Sequence, residues 1–248
     1  MSSLRVATWN LEHDGNRTHD ICLQIKELRK YNADIIILTE TSDDADLSSF
    51  GYTATSSRRQ DSGRYCSVIW SKNPVVRVYD LEDQDTSACA LFETRLGLLI
   101  VYGTIITWAN DGVYEGKARK WERHLDEIAR QGEEWKKIID QGERSIPLCV
   151  AGDFNQTRHN YAYATKQTRQ NLDRVIQDCD LEFLTESDFG HEGMLKPMPG
   201  KDYPRSNIDH VCITKGFAPT RHESFAWHNY TESGEYLSDH NGVYVDLF

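Results

Sequence analysis

The sequence lacks any apolar run long enough to span a bilayer, and its start, Met-Ser-Ser-Leu-Arg-Val, contains no apolar signal segment. Its six cysteines are widely separated and form no Cys-X-X-Cys pair, which indicates reduced thiols rather than a disulfide framework. No Pro/Gly/Ser-rich linker and no repeat interrupts the hydrophobic pattern. These absences predict one domain over residues 1–248, a monomer in a reducing cytoplasm with no membrane span.

Basic charge is also scarce. The chain has 28 Lys and Arg against 39 Asp and Glu, and its formal net charge is −11. This balance disfavours strong non-specific adhesion to nucleic acid or to anionic membranes. It does not exclude a phosphate-containing substrate, because carboxylates gathered around a divalent cation add negative charge that the metal offsets locally.

The most informative stretch is Ile-Pro-Leu-Cys-Val-Ala-Gly-Asp-Phe-Asn at 146–155. Its apolar residues 148–151 predict a buried strand, and Gly152 relaxes the backbone at the strand end. Asp153 and Asn155 then emerge at the carboxyl end of the strand. In open α/β sheets, this is the edge at which sites are built.

A strand–helix–strand unit at the start of the chain supplies further polar groups. Residues 4–10 alternate as a strand that ends at Asn10, with Glu12 and His13 directly after it. Residues 18–30 show helical spacing, and the apolar run 33–38 is followed by Glu40. Such a unit joins parallel strands by a right-handed crossover, so we expect Glu40 at the same sheet edge as Asn10.

The remaining pattern predicts a mixed sheet. Two acidic and histidine pairs, Asp209-His210 and Asp239-His240, stand at the starts of strands rather than at their ends. They can share the edge only if those strands run antiparallel to the others. The predicted elements are an antiparallel meander of strands at 65–70, 75–81, 88–95 and 98–104, a long helix at 114–141, a helix at 167–179, a patternless loop at 187–205, and strands at 208–214 and 242–248.

If these polar groups converge, the site contains several carboxylates, two amides and a histidine, with no cysteine placed to join them. An oxygen-rich site without sulfur suits Mg²⁺ or Mn²⁺ better than zinc. Such an ion polarises a phosphoryl oxygen while a carboxylate takes a proton from water. The residues therefore indicate phosphate-ester hydrolysis.

The order of the motifs resembles the endonuclease/exonuclease/phosphatase superfamily, which has the deoxyribonuclease-I-like fold. The motifs are Thr-Trp-Asn (8–10), the run ending in Glu40, Gly-Asp-Phe-Asn (152–155), Ile-Asp-His-Val (208–211) and Ser-Asp-His (238–240). The resemblance spans nearly the whole chain. It implies a four-layer α/β sandwich, in which helices flank two packed mixed β-sheets and the site lies at one end.

The resemblance also implies a divalent-metal site. Glu40 would be the principal ligand, and Asn10 would orient it or contact phosphate. Asp239 would contribute to the same site. Glu12 occupies a position at which relatives often place a second acidic group, and we include it as a metal-site candidate.

The remaining implied roles concern the reaction itself. Asp153 would align and deprotonate the attacking water, and Asn155 would hold a phosphoryl oxygen. His240 would bind the phosphoryl group as its charge develops, oriented by Asp209.

One position departs from the pattern. Many relatives have a histidine or tyrosine just after the central strand, where this chain has Ile105, which carries no transferable proton. Either His13, Thr107 or Arg119 substitutes for it, or the metal alone stabilises the leaving group. We expect Arg119 to contact phosphate and Trp108 to stack on a base or sugar.

The leading hypothesis is a Mg²⁺- or Mn²⁺-dependent phosphodiesterase that cleaves nucleic acid, as an endo- or exonuclease on DNA. An alternative is a phosphatase acting on a phosphomonoester, an inositol phosphate or a lipid head group, which the acidic balance favours mildly. A third is a catalytically silent binding module, which Ile105 alone supports.

Overall fold

The computed structural model describes residues 3–13, 21–141, 145–160, 162–197, 200–217 and 221–248. Within these ranges the chain forms three α-helices, one short 3₁₀ helix (Ser48–Phe50) and twelve strands. In chain order they are β1 (Leu4–Asn10), α1 (Ile21–Tyr31), β2 (Ile35–Ser42), β3 (Thr53–Ser56), β4 (Arg64–Ser71), β5 (Val75–Val78), β6 (Ala88–Thr94), β7 (Gly97–Ile105), α2 (Glu122–Asp140), β8 (Leu148–Asp153), α3 (Lys166–Asp178), β9 (Leu181–Phe183), β10 (Asp209–Thr214), β11 (His222–Trp227) and β12 (Gly242–Leu247).

The strands form two six-stranded mixed sheets. Sheet I has the order β11-β12-β1-β2-β4-β3, and sheet II has the order β5-β6-β7-β8-β10-β9. β1 and β2 are parallel, as are β7 and β8, whereas β12 runs antiparallel to β1 and β10 antiparallel to β8. The predicted antiparallel direction of the last two strands is therefore confirmed.

The two sheets pack face to face, and helices cover their outer faces. Val6 of sheet I and Val101 of sheet II belong to one buried cluster between the sheets. Leu28 of α1 packs with Trp9 on the outer face of sheet I. α2 and α3 cover sheet II, where Trp135 and Leu172 share another cluster with residues of β7 and β8. This is the predicted four-layer α/β sandwich.

The alternation of β1 explains how one strand serves two cores. Leu4 and Val6 face the other sheet, whereas Ala7 and Trp9 face α1. Side chains of a strand point alternately to its two faces, so a strand between two layers must be apolar on both. In the described part of the chain, none of the helices combines the length and the apolar character that a membrane crossing requires.

Some predicted elements were wrong in extent or pairing. The strand at 65–70 does not join the meander, because β4 pairs with β2 and β3 of sheet I. The antiparallel meander consists of β5, β6 and β7 alone. The strands β3, β9 and β11 were not predicted, because each is short or lies at a sheet edge.

The long helix begins later than predicted. α2 starts at Glu122, because Trp121 has a left-handed backbone with φ of 70° and cannot continue a helix toward the N-terminus. The preceding residues form turns, in which Gly112 and Gly116 also have positive φ. Residues 18–20 of the first predicted helix lie outside the described residues.

Candidate active site

A cavity of about 740 Å³ opens beside the ends of strands from both sheets. Its walls come from the carboxyl ends of β1, β2, β7 and β8 and from the segments that precede β10 and β12. The lining residues are Glu12, Glu40, Ile105, Thr107, Trp108, Asp153, Asn155, Thr157, Ala162, Tyr163, Arg205, Ser206, Ile208, Asp239 and His240.

Gly152 allows β7 and β8 to approach closely at the base of this cavity. The two strands pair in parallel, with Thr104 opposite Gly152. A Cβ atom at Gly152, whose φ is +144°, would lie 1.9 Å from the carbonyl oxygen of Thr104. Glycine is therefore required at the residue directly before Asp153.

Three residues of the cavity hold left-handed backbone conformations. The φ angle is 57° at Glu12, 45° at Glu40 and 49° at Asn155. Such a conformation costs about 1–3 kcal/mol in a residue with a side chain and persists only where the surroundings enforce it. Glu40 adopts it inside β2, not beyond the strand end as predicted.

Two asparagine amides position the carboxylates of the site. Nδ2 of Asn10 donates to Oε1 of Glu40 at 2.9 Å and to Oδ2 of Asp153 at 3.0 Å. Nδ2 of Asn155 donates to the same Asp153 oxygen at 2.9 Å and to the carbonyl oxygen of Ile106 at 3.0 Å. Both N–H groups of each amide are thus used within the protein, and both amides hold Asp153 in place.

His240 and Asp209 form a buried pair across the two sheets. Nδ1 of His240 lies 2.5 Å from Oδ2 of Asp209. The other ring nitrogen, Nε2, lies 3.4 Å from an oxygen of Asp239 and 3.9 Å from Oδ2 of Asp153. Trp9 also fixes this segment, because its indole N–H donates to the carbonyl oxygen of His240 at 2.8 Å. The imidazole is therefore aimed at the cavity with one nitrogen.

Burial and neighbouring charges shift the pKa values of Asp153 and His240. Burial raises the pKa of Asp153 to about 8; the nearby charges of Asp209 and Glu40 add to this rise, whereas His240 opposes it. Burial alone would lower the pKa of His240, but the negative charges of Asp209 and Asp153 outweigh burial and raise it to about 10. The site therefore places one imidazolium among buried carboxyl groups whose ionisation burial opposes.

The donor set fits a hard divalent cation. Ligand atoms of Asp153, Asp209 and His240 all lie within 4.8 Å of one another. Among the described residues no cysteine lines the cavity, and the side chains of Glu12 and Glu40 add carboxylate oxygens to its wall. Oxygen donors in excess of cationic groups are the environment that Mg²⁺ and Mn²⁺ prefer.

The structure brings most of the predicted site residues together. Glu12, Glu40, Asp153, Asn155, Asp239 and His240 line the cavity, while Asn10 and Asp209 are hydrogen-bonded to residues that line it. The predicted metal ligands Glu40, Glu12 and Asp239 share this wall, and ligand atoms of Asp153, Asp209 and His240 lie within 4.8 Å of one another. Asp153, which was predicted to activate water, is thus also a member of this cluster.

Of the three predicted substrate contacts, Asn155 and Trp108 line the cavity and Arg119 does not. Trp108 lines the cavity with 43% of its surface exposed, and its ring centroid lies 6.1 Å from that of Tyr114. Arg119 is exposed, precedes α2 rather than lying within it, and is not among the cavity residues. Arg205 instead brings a guanidinium to the wall, with Nη2 3.3 Å from an oxygen of Asp239.

Of the residues predicted to replace a proton donor at Ile105, Thr107 lines the cavity, whereas His13 and Arg119 do not. Ile105 does line the cavity, as does Thr107, whose hydroxyl donates to Asp111 at 3.1 Å. His13 is not among the lining residues, and its Nε2 lies 3.0 Å from the side-chain oxygen of Gln24. Sequence reasoning missed Tyr163, which lies in a patternless stretch with no periodicity to indicate its position.

The two packed sheets, with the cavity at their strand ends, form a deoxyribonuclease-I-like α/β sandwich. The chain belongs to the Endonuclease/Exonuclease/phosphatase family, whose sequence profile matches residues 7–240. Members of this superfamily are phosphodiester hydrolases.

Solved structures share this fold at low sequence identity. An AP endonuclease from Archaeoglobus fulgidus is 17% identical with a TM-score of 0.70, and the alignment covers 98% of each chain. A 3'-5' exonuclease from Neisseria meningitidis is 19% identical with a TM-score of 0.68, again over 98% of each chain. Truncated Caenorhabditis elegans TDP2 is 13% identical with a TM-score of 0.67, over 99% of this chain and 98% of that one. No curated protein matches the chain in a sequence comparison.

Proposed function

We propose that the protein is a divalent-metal-dependent phosphodiesterase that hydrolyses nucleic acid by in-line attack of water. The observation that carries this proposal is the position of Asp153. Its carboxylate is held by two amides at the base of the cavity, beside the imidazole of His240. A base and a cationic donor thus face the same small volume.

Asp153 acts as the general base. Burial raises its pKa to about 8, so the carboxylate, once deprotonated, is a stronger base than an exposed one. Asn10 and Asn155 fix the orientation of this carboxylate, and with both N–H groups engaged they act as positioning residues. The water proton passes to Asp153 as the water oxygen bonds to phosphorus.

His240 stabilises the phosphoryl group. The negative charge of Asp209 keeps the imidazole protonated, because it helps raise the His240 pKa to about 10. Nδ1 is engaged with Asp209, so Nε2 is the nitrogen that donates to a phosphoryl oxygen. This donor is fixed before the charge on that oxygen develops, which is the arrangement that favours a transition state.

Glu40, Glu12 and Asp239 would hold the divalent cation together with Asp153. When bound, Mg²⁺ or Mn²⁺ supplies charge stabilisation for the phosphoryl oxygens and the leaving group. The excess of carboxylates over cations in the cavity supports this assignment.

Nucleic acid is the proposed substrate class. Arg205 places a guanidinium at the wall, which suits a phosphate, and Trp108 offers an exposed aromatic face for a base or sugar. Two of the solved structures that share the fold are described as an AP endonuclease and a 3'-5' exonuclease.

The test is cleavage of end-labelled single-stranded, duplex and abasic oligonucleotides with Mg²⁺ or Mn²⁺, with and without EDTA. We expect cleavage that EDTA abolishes, and Asp153→Asn should lower the rate by about 10²–10⁴-fold. Asp61→Asn, which changes an exposed aspartate outside the cavity, is the matched control. Release of inorganic phosphate from phosphomonoesters without cleavage of any oligonucleotide would replace this proposal by a phosphatase. Full activity in Asp153→Asn would contradict the assigned base.

A further inference from the structure

Hydrolysis of a phosphodiester leaves a chemical requirement that the residues considered so far do not meet. The departing alkoxide is a strong base and needs a proton as its bond to phosphorus breaks. Asp153 accepts a proton in that step, and His240 donates to the phosphoryl oxygens in the proposed mechanism. Ile105, at the end of β7, has no proton to give.

Tyr163 places a phenol at this cavity. Its hydroxyl oxygen accepts a hydrogen bond from the backbone N–H of Ala109 at 3.2 Å, so the phenol stands against the segment that follows β7. Its ring contacts Trp121, with centroids 5.3 Å apart. The backbone N–H of Thr157 donates to the carbonyl oxygen of Tyr163 at 2.9 Å. Tyr163 is thus held in place both at its hydroxyl group and at its backbone.

The O–H proton of Tyr163 is available to a ligand. A phenolic oxygen can accept and donate at the same time. The oxygen accepts from Ala109, and within the described residues no acceptor is recorded for its own proton. Tyr163 lines the cavity, so this proton can reach a group bound there.

The other hydroxyl and cationic groups of the wall are less suited. Thr107 donates to Asp111, and Thr157 donates to the carbonyl oxygen of Asn160. Ser206 is an aliphatic alcohol, which is about as weak an acid as the leaving group itself. Arg205 keeps its proton under all ordinary conditions. A phenol is a much stronger acid than an alcohol, so transfer from Tyr163 to an alkoxide is downhill.

We propose that Tyr163 is the proton donor to the leaving oxygen in the reaction assigned to this cavity, an inference that rests on the proposed function. The water oxygen bonds to phosphorus and its proton goes to Asp153, while the bond from phosphorus to the leaving oxygen breaks and that oxygen takes the Tyr163 proton. The products are a phosphomonoester and an alcohol. The proton held by Asp153 then returns through solvent to the phenolate, which restores both groups.

The electrical surroundings keep this phenol protonated before the reaction. Burial raises the pKa of Tyr163, and the negative charges of Asp153 and Asp239 add to the rise, while the Ala109 bond and Arg205 oppose it. The reactive form is therefore the resting form at neutral pH.

The test compares two substrates that transfer the same phosphoryl group. One is the dinucleotide thymidylyl-thymidine, whose leaving group is a sugar alkoxide. The other is the p-nitrophenyl ester of thymidine 5'-phosphate, whose leaving p-nitrophenolate is stable without a proton. Tyr163→Phe should lower kcat for the dinucleotide by about 10²–10⁴-fold and for the p-nitrophenyl ester by less than about threefold.

Tyr52→Phe is the matched control, because Tyr52 also makes one hydrogen bond to the backbone, to Ala33 at 2.6 Å, and is not a cavity residue. It should leave both rates unchanged. Retained cleavage of the p-nitrophenyl ester also shows that Tyr163→Phe is folded. Equal losses on the two substrates, or no loss on the dinucleotide, would overturn the role of Tyr163.

A second measurement covers the case in which Tyr163→Phe does not fold. In the wild-type protein, kcat over a series of aryl esters should depend weakly on the acidity of the leaving phenol, and a steep dependence would overturn the inference. Failure of the wild-type protein to cleave either ester would instead overturn the proposed function and, with it, this inference.

Discussion

Replacement of Gly152 with alanine should destabilise the protein more than the same change at Gly97. Both glycines have positive φ, +144° and +106° respectively. A Cβ atom at Gly152 would lie 1.9 Å from the Thr104 carbonyl oxygen, whereas one at Gly97 would meet nothing within 4 Å. The two substitutions therefore share backbone strain, and only Gly152→Ala adds a steric clash.

The expected losses follow from these two effects. A side chain at such a φ costs about 1–3 kcal/mol. Relief of the clash must move β7 away from β8 beside Thr104, and overpacking of this kind adds about 1–3 kcal/mol. We therefore expect the free energy of unfolding to fall by about 1–3 kcal/mol in Gly97→Ala and by about 2–6 kcal/mol in Gly152→Ala. The larger loss is a substantial share of the 5–15 kcal/mol that is typical of proteins, about two fifths when the middles of the two ranges are compared.

Urea unfolding followed by tryptophan fluorescence measures both losses. The midpoint should fall in both variants while the slope of the free energy with urea stays constant. Because Gly152 directly precedes Asp153, its variant should also lose activity at urea concentrations where it is still folded. Equal losses of stability in the two variants would refute the close approach of β7 and β8 at Thr104.

Three further substitutions test other parts of the structure. Asp209→Asn removes a negative charge that raises the pKa of His240. Protonated His240 is the active form and is lost as pH rises through that pKa, so the alkaline fall in kcat should begin at a pH lower by about one unit or more. An unchanged pH profile would contradict the pairing of His240 with Asp209. Arg205→Ala should raise KM about tenfold with kcat little changed, as steady-state kinetics would show, whereas a selective loss of kcat would contradict a binding role. Asp246→Asn weakens the two 2.6 Å hydrogen bonds that Arg5 donates to this carboxylate, so the free energy of unfolding should fall by about 1–3 kcal/mol. Urea unfolding measures this loss, and an unchanged midpoint of unfolding would count against the Arg5–Asp246 pair.

Hydrophobic periodicity predicted those elements in which each face packs against the same layer along the whole element. β1 alternates between two cores, and its pattern predicted its bounds and the alternation of its side chains between two faces. The parallel direction of β2 followed from the connecting helix, because a crossover of that length returns the chain to the same edge. These predictions needed only local side-chain spacing and chain geometry.

Long-range pairing explains where the same reasoning failed. The sequence of β4 predicts a strand, but it does not indicate which sheet this strand joins. β4 pairs with β2 of sheet I and not with β5 of sheet II. The start of α2 depends on the left-handed Trp121, whose ring packs on His124 and Tyr163. Such contacts join segments distant in sequence, so helical spacing before Trp121 was misleading.

Candidate site residues in strands or within a few residues of a strand could be predicted, whereas the positions of Tyr163 and Arg205 could not. Glu40 and Asp153 lie in strands whose direction is fixed, so the topology alone brings them to one edge. Tyr163 and Arg205 reach the same cavity from irregular segments, whose paths depend on tertiary contacts. Arg119 was preferred because the predicted helix was too long at its start, and its place at the wall is taken by Arg205.

The conformation of the site and its chemistry depend on the same side chains. The left-handed Glu12 is held because its N–H donates to Oδ1 of Asn10 at 2.8 Å, and the left-handed Asn155 because its N–H donates to Oδ1 of Asp153, also at 2.8 Å. Asn10 and Asp153 are in turn joined through the Asn10 amide at 3.0 Å. Strained backbone persists only where several contacts enforce it, so removal of Asn10 would release Glu12 and the carboxylate of Asp153 together. Effects of substitutions at these residues should therefore not add, because each side chain fixes the geometry on which the others act.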